Sequence, residues 1–291
     1  MIAHKSERPF QWINGMAFAL FSLSMIAPLI HLAAVSLSST QYTEAKQVYF
    51  WPKGLQFDVY KTIFGMDQLW RSLGVSVTIT VFGTVIALLF TSTLAYALSR
   101  PIMAGRKIVL RAVVITFVFS APMIPSYLVV RALHMEDTLW ALMVPGALAA
   151  FNIIIMKTFF QGISVEMYEA AKIDGCTEAG LFGKIAVPLS MPVFATIALF
   201  HSVSQWNSYF HALIYIRSKE LLPVQVLLRN LVISDEASSM VDSNFGDASI
   251  MSTPEMMKAG IILFATLPII IVYPFLQKYF VKGATLGALK E

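Results

Sequence analysis

Six apolar runs, each about as long as a membrane crossing, dominate this sequence: residues 14–37, 75–98, 109–130, 139–159, 190–213 and 259–280. A helix needs roughly 20 mainly apolar residues to cross the hydrocarbon of a bilayer. Inside lipid the chain must also satisfy its own backbone N–H and C=O groups, which a helix does within one segment. The runs therefore predict an all-α, polytopic membrane protein with six transmembrane helices in one domain spanning residues 1–291. Composition agrees, because 57% of the residues are hydrophobic and 13% charged, too few polar groups to cover a soluble core of this size. The first run is longer than the apolar stretch of a cleavable signal and contains Pro28 and His31, so it reads as a retained span.

The net charge of +4 is not gathered into a basic stretch long enough to track phosphates, which argues against a nucleic-acid partner. Membrane topology accounts for it better. With the N-terminus inside, the inner segments carry twelve Lys and Arg residues against nine on the outer segments, a positive-inside bias. It is sharpest between Ser99 and Arg111, where Arg100, Arg106, Lys107 and Arg111 face no acidic neighbour in sequence. Trp12, Trp70 and Trp140 fall near the ends of runs, where interfacial anchors belong. Cys176 is the one cysteine, so no internal disulfide and no cysteine-built metal centre can form.

The second run places Ser76, Thr80, Gly83, Thr84, Ala87, Thr91 and Ala95 at three- and four-residue intervals, a small face suited to close helix packing. Pro122, Pro125, Pro145 and Pro268 interrupt other runs and are expected to bend them. Two long outer loops, 38–74 and 214–258, join the runs; the second holds Asp235, Glu236, Asp242 and Asp247. Such loops either dock an external partner or cap the helix ends.

The inner segment 161–189 changes character abruptly to Ser164-Val165-Glu166-Met167-Tyr168-Glu169-Ala170-Ala171-Lys172-Ile173-Asp174-Gly175. This reads as a short helix: Ser164 can cap its N-terminus, Glu166 suits the positive end of the dipole, and Gly175 supplies a left-handed exit. Thr177 can cap a second short helix through Phe182 and Lys184, before Pro188 leads into the fifth run.

Glu169-Ala170-Ala171, then Gly175, then Ile185, Val187 and Pro188 reproduce the EAA motif of bacterial ABC-importer permeases, with three residues between the Ala pair and Gly175 and nine between Gly175 and Ile185. The sequence resembles that family along nearly its whole length. It is most similar to the carbohydrate-uptake branch, including the second permease subunit of maltose-type and alginate-type importers. Pro125-Ser126-Tyr127, Trp206-Asn207 and the tail from Gln277 to Lys290 carry this closer likeness. Lys278 and Leu289 stand where that tail has arginine and valine.

The resemblance implies an ATPase-coupling site at Glu169, Ala170, Ala171, Asp174, Gly175, Ile185 and Pro188, with the first short helix lying in a groove on an ATPase. It implies two ATP-binding-cassette ATPase subunits that bind ATP and Mg, and no cofactor in this chain. A second permease subunit forming a heterodimer and an external solute-binding protein complete the set. It also implies a bacterial cytoplasmic-membrane location with both termini cytoplasmic, and alternating access. The implied cargo is a carbohydrate, an oligo- or polysaccharide, with alginate among the candidates.

In the fifth run His201, Ser204, Gln205 and Ser208 share a helical face, with Trp206 and Asn207 alongside. Such groups are expensive in hydrocarbon unless they meet protein or a water-filled cavity. They are expected to line the solute pathway, with amides and hydroxyls bonding sugar hydroxyls and Trp206 stacking on a pyranose. Asn152 in the fourth run is a further candidate. Packing between helices explains the same residues equally well. His31, His134, His201 and His211 do not form a metal site by spacing.

Three rival readings make different demands on the sequence. An ion-coupled secondary transporter calls for intramembrane carboxylates, and the six runs contain essentially none. A membrane enzyme needs a convergent catalytic set, yet His201 and Ser204 lack a nearby acid. No GxxxxGK[ST] phosphate loop is present, so the chain reads as a transport subunit without its own ATPase site and not as an enzyme. An ABC permease for a non-sugar solute stays open, because the EAA motif does not read the substrate.

Overall fold

The structure is a computed structural model that describes residues 8–233 and 253–288. The acidic residues Asp235, Glu236, Asp242 and Asp247 of the second long loop, and Leu289 and Lys290 of the tail, lie outside the described residues. All regular structure among the described residues is helical. By length and apolarity, Phe10–Ser36, Asp67–Ser99 and Pro254–Pro274 can each cross a membrane. A fourth crossing is available if the pair Glu178–Leu189 and Met191–Trp206, bent by 78°, counts as one span.

One compact unit comprises the described residues up to Trp70 together with those of Leu228–Leu267. Its first helix, α1 (Arg8–Ser36), continues unbroken through Pro28. Only 11% of its apolar window is buried, so this all-round apolar helix is suited to lipid or a partner chain and not to water. Two short helices follow in the 38–74 segment, α2 (Thr40–Glu44) and α3 (Asp58–Phe64). The loop between them and α3 are pinned back to α1 and its exit. The Ser38 hydroxyl accepts from the Lys53 backbone N–H at 3.0 Å, His31 Nδ1 lies 2.7 Å from the Tyr49 carbonyl, and Tyr60 meets Ser36 at 2.8 Å. Gly260 lets the last long helix approach α3 closely, since a Cβ there would stand 2.7 Å from Ile63 and Val59.

The second unit comprises Arg71–Leu227 and the described residues from Pro268 onward. Its long helix, α4 (Asp67–Ser99), buries the small face read from the sequence: Ser76, Thr84, Ala87, Thr91 and Ala95 are all buried. The next three apolar runs are each broken. The third becomes α5 (Arg106–Val118) and α6 (Met123–Ala132). The break falls where Phe119 and Pro122 adopt extended backbone, because proline lacks an N–H and pushes the residue before it out of the helix. Pro125 sits in the first turn of α6, where its missing N–H leaves no bond unmade.

The fourth run becomes α7 (Trp140–Met143) and α8 (Ala150–Gln161), separated at Pro145-Gly146. Two short helices, α9 (Val165–Ile173) and α10 (Glu178–Leu181), lead through a π turn at Phe182–Ala186 into α11 (Val187–Leu189). The fifth run divides into α12 (Met191–Trp206) and α13 (Phe210–Tyr215). A 3₁₀ turn at Lys219–Leu221, α14 (Val224–Ile233) and α15 (Pro254–Ala288) complete the order. Pro268 and Pro274 lie inside α15, which continues through both, so Pro268 does not break its helix as Pro122 and Pro145 break theirs.

Candidate functional site

The connector between the fourth and fifth runs forms from local rules. Gly175 has φ of +81° and ends α9 in a Schellman closure, with Gly175 N–H donating to Lys172 O at 3.0 Å and Cys176 N–H to Ala171 O at 2.9 Å. Thr177 caps α10 by accepting from Gly180 N–H at 3.2 Å. Ser164 departs from its expected role. Its hydroxyl donates to the Glu166 carboxylate and accepts no backbone N–H as a cap.

Of α9 only Tyr168 is buried, at 4% exposure. Glu169, Ala170 and Asp174 are exposed and Ala171 half-buried. Val165, Met167 and Ile173 also stand in the open, so α9 offers a mixed apolar and acidic outer face. Ile185 is half-buried in the π turn, whereas Pro188 is exposed in α11, just before the 78° bend at Ser190.

Beneath α9 lies a cluster that sequence reading missed. Glu178 accepts from Lys172 Nζ at 2.7 Å and from the Tyr96 hydroxyl at 3.2 Å, with Arg100 at 3.7 Å. The Arg100 guanidinium also lies 4.2 Å over the Tyr168 ring. These contacts hold the Glu178 carboxyl below its usual range, the Lys172 hydrogen bond first among them. Burial pushes the Tyr168 phenol up. The basic excess after the second run is the one sequence sign of this cluster, and it names no partner.

The polar stripe resolves into two directions. Asn152, His201, Ser204, Gln205, Asn207 and Ser208 line a cavity of about 600 Å³, and its aromatic lining comes chiefly from Tyr209, Phe210, His211 and Tyr215. No Asp, Glu, Lys or Arg contributes to that lining. Some of the polar groups are already committed to the fold. His201 Nδ1 lies 3.2 Å from Thr84 Oγ1, and its ring bonds the Gly146 backbone. Gln205 Nε2 donates to Leu142 O at 2.8 Å. Ser204 and Asn207 are exposed on the cavity side. Tyr215 stacks between His211 and Tyr127, with centroids 6.1 and 6.3 Å away and interplanar angles of 12° and 5°.

Trp206 does not join them. Consecutive helical residues point about 100° apart, and Trp206 lines a separate, mostly apolar cavity of about 420 Å³ with Thr80, Val203, Pro268 and Tyr273. It is 5% exposed and its indole N–H has no hydrogen-bond partner among the described residues. Trp206 is therefore not placed for stacking on a solute held beside Gln205. Among the described residues no three His, Cys, Asp or Glu side chains converge as metal ligands.

Residues 101–286 match the model of the binding-protein-dependent transport system inner membrane component, and the chain belongs to that family, a family of ABC-importer permeases. It is a multi-pass transport component of the inner membrane. It is 43% identical over 272 residues to the polygalacturonan/rhamnogalacturonan transport system permease protein YtcP of Bacillus subtilis (strain 168), covering 93% of this chain and 94% of that one. Protein LplC of the same organism is 42% identical, with 98% and 96% covered. A chain from the crystal structure of a bacterial ABC transporter involved in the import of the acidic polysaccharide alginate superposes with a TM-score of 0.87 at 32% identity, over 96% of this chain and 99% of that one.

Proposed function

We propose that this chain is one of two six-span permease subunits of an oligosaccharide importer, one transmembrane domain over residues 1–291. Two ATPase subunits that bind ATP and Mg drive it, and an external binding protein delivers the solute. The chain itself holds no ATPase site. The observation that carries the cargo class is the cavity of hydroxyl, amide, imidazole and aromatic groups without a formal charge. Sugars present hydroxyls around an apolar ring face. Ser204, Asn207 and Ser208 supply donors and acceptors, each such bond contributing about 0.5–1.5 kcal/mol net, and the Tyr209 to Tyr215 segment supplies flat apolar surface.

The relatives narrow the class. YtcP is named for polygalacturonan and rhamnogalacturonan, and the alginate importer carries an acidic polysaccharide. Uronate-containing oligosaccharides are accordingly the first cargo to test, with alginate oligomers beside them. In this reading the crossings are the six apolar runs, the third to fifth as broken spans, with both termini in the cytoplasm.

Coupling is assigned to α9. Its exposed Glu169, Ala170 and Asp174 meet a groove on the ATPase, the small alanines permit close approach, and Gly175 sets the angle to the α10–α11 segment carrying Ile185 and Pro188. Closure of the ATPases then moves α9 and reorients the bundle between outward and inward access. The test is reconstitution with the ATPase, second permease and binding protein, measuring ATP-driven uptake of oligogalacturonate, oligoalginate and a neutral oligosaccharide. Uptake of at least one sugar that stops on reversing the charge of Glu169 is expected. A chain that assembles with no ATPase, or a complex that carries only non-sugar solutes, would sink the reading.

A further inference from the structure

Chain connectivity ties α9 to only two helical segments, α8 before it and the α10–α12 segment after it. The cluster at Glu178 adds a third, which the sequence keeps far away. Tyr96 and Arg100 stand at the end of α4, 82 and 78 positions before Glu178 by residue number. The Tyr96 hydroxyl donates to one carboxylate oxygen of Glu178 while Lys172 and Arg100 approach the other. Arg100 simultaneously covers the face of Tyr168, the one buried side chain of α9. The Arg100 side chain is 18% exposed, so its charge sits largely out of solvent, where contact with an aromatic face and a carboxylate is strengthened. The same cluster rests on a shared core of Tyr96, Phe160, Tyr168 and Leu181.

We propose that Arg100 and Glu178 are positioning residues for energy coupling: they clamp α9 to the inner end of α4, so that a displacement of α9 is delivered directly to the second span. The proposal rests on the assignment of α9 as the coupling helix. The physical reason is that a salt bridge, a hydrogen bond and a cation over a ring constrain both distance and rotation. A hinge at Gly175 alone would let α9 tilt without moving α4. Lys172 and Glu178 are half-exposed, and the clamp acts by fixing geometry more than by adding stability.

The test uses the assembled transporter in lipid nanodiscs, with Cys176→Ser as background and spin labels at the exposed positions Ile102 and Ser164, the latter at the N-terminus of α9 away from the residues assigned to the ATPase. In the parent complex the label distance is expected to change by less than about 2 Å between nucleotide-free and ATP-bound states, on the scale of a packed-helix shift, because the two ends move as one body. In Glu178→Gln, which keeps the shape and loses the charge, the two should separate on ATP binding. Uptake per ATP hydrolysed should fall at least about fivefold, the low end of usual coupling factors, with hydrolysis itself within twofold of the parent. Glu178→Asp and Arg100→Lys, milder changes, are expected to give intermediate ratios and decide the matter if Glu178→Gln assembles poorly. An unchanged label distance and an unchanged uptake-to-ATP ratio in all three variants would overturn the clamp. So would loss of ATPase binding in all three, which would make the cluster a support for docking alone. The distance readout needs no transported sugar, so it judges the clamp even where the assigned cargo is wrong.

Discussion

The side-chain amide of Gln205 donates to the backbone carbonyl of Leu142 across 63 positions of sequence, at 2.8 Å and in a buried setting. Leu142 belongs to a four-residue helix that ends at Met143, and its carbonyl is one that a longer helix would have satisfied internally. Gln205 thus repairs the break made at Pro145. Gln205→Leu is expected to destabilise the protein by about 1–3 kcal/mol, the desolvation cost of an orphaned buried carbonyl. A lowered thermal midpoint of the purified protein in detergent would record it, and an unchanged midpoint would refute the repair.

Asn207 should behave in the opposite way. Among the described residues its Nδ2 donates to Val203 O one turn back, at 2.9 Å, and the side chain is exposed at the cavity. Asn207→Ala together with Ser204→Ala is expected to raise the half-saturating sugar concentration several-fold, one or two bonds at about 1 kcal/mol each, with thermal midpoint and assembly unchanged. Unaltered transport kinetics would remove both residues from the pathway.

Trp206 buries an indole N–H with no hydrogen-bond partner among the described residues. Trp206→Phe keeps the ring and deletes that donor, so it should be neutral or slightly stabilising, since losing an unsatisfied group relieves a cost of about 1–3 kcal/mol against lost ring area of similar worth. Sugar uptake should stay within twofold. A large loss of uptake with folding intact would return Trp206 to the solute route.

Gly175 tests the elbow. Nothing lies within 4 Å of the position a Cβ would take there, so the effect of a side chain is conformational and not steric. Gly175→Ala is expected to cost about 1–2 kcal/mol for a left-handed non-glycine residue, and Gly175→Asn less, since asparagine visits that region more readily. Uptake at a fixed ATPase level should follow the order glycine, asparagine, alanine. Equal uptake in the three would show that the left-handed exit is dispensable.

Asp137 offers a pH prediction on the segment between α6 and α7. Its carboxylate accepts from Ser218 Oγ at 2.6 Å and from the Ser218 and Arg217 N–H groups at 2.9 Å each, and these bonds, the Ser218 hydroxyl first, hold the carboxyl below the usual range. A carboxyl lowered on folding contributes stability above its unfolded value of about 3.9, and that contribution disappears as pH falls through the lower folded value. Amide exchange at Arg217 and Ser218 should therefore be slow and insensitive to this group from about pH 7 to 5, with protection lost only below about pH 4. Asp137→Asn should abolish that step, and a step that persists in the variant would assign it elsewhere.

The membrane class, the small buried face of α4, the Gly175 exit and the Thr177 cap were legible because each depends on neighbours within a turn or two. Trp206 and Asn207 were not separated by the sequence, which sets both alongside one polar face; the structure turns Trp206 into a separate cavity. Composition predicts the third to fifth runs as single helices, because it cannot separate a continuous helix from a broken one. Pro122 and Pro145 end helices whereas Pro28, Pro268 and Pro274 are absorbed within them. At the Pro145 break the Leu142 carbonyl takes its partner, Gln205, from another helix, a pairing that no local pattern encodes.

What the sequence determined by itself was the solvent of the fold and the family motif, since hydrophobic length and residue spacing act locally and need no partner. The tertiary structure decided which polar groups are structural and which are open. Thr84 meets His201 across 117 positions, Gln205 meets Leu142 across 63, and Tyr96 meets Glu178 across 82. A buried hydrogen bond or ion pair takes its partner from packing. No periodicity in the chain encodes which helix end will lie within 3 Å of a given side chain.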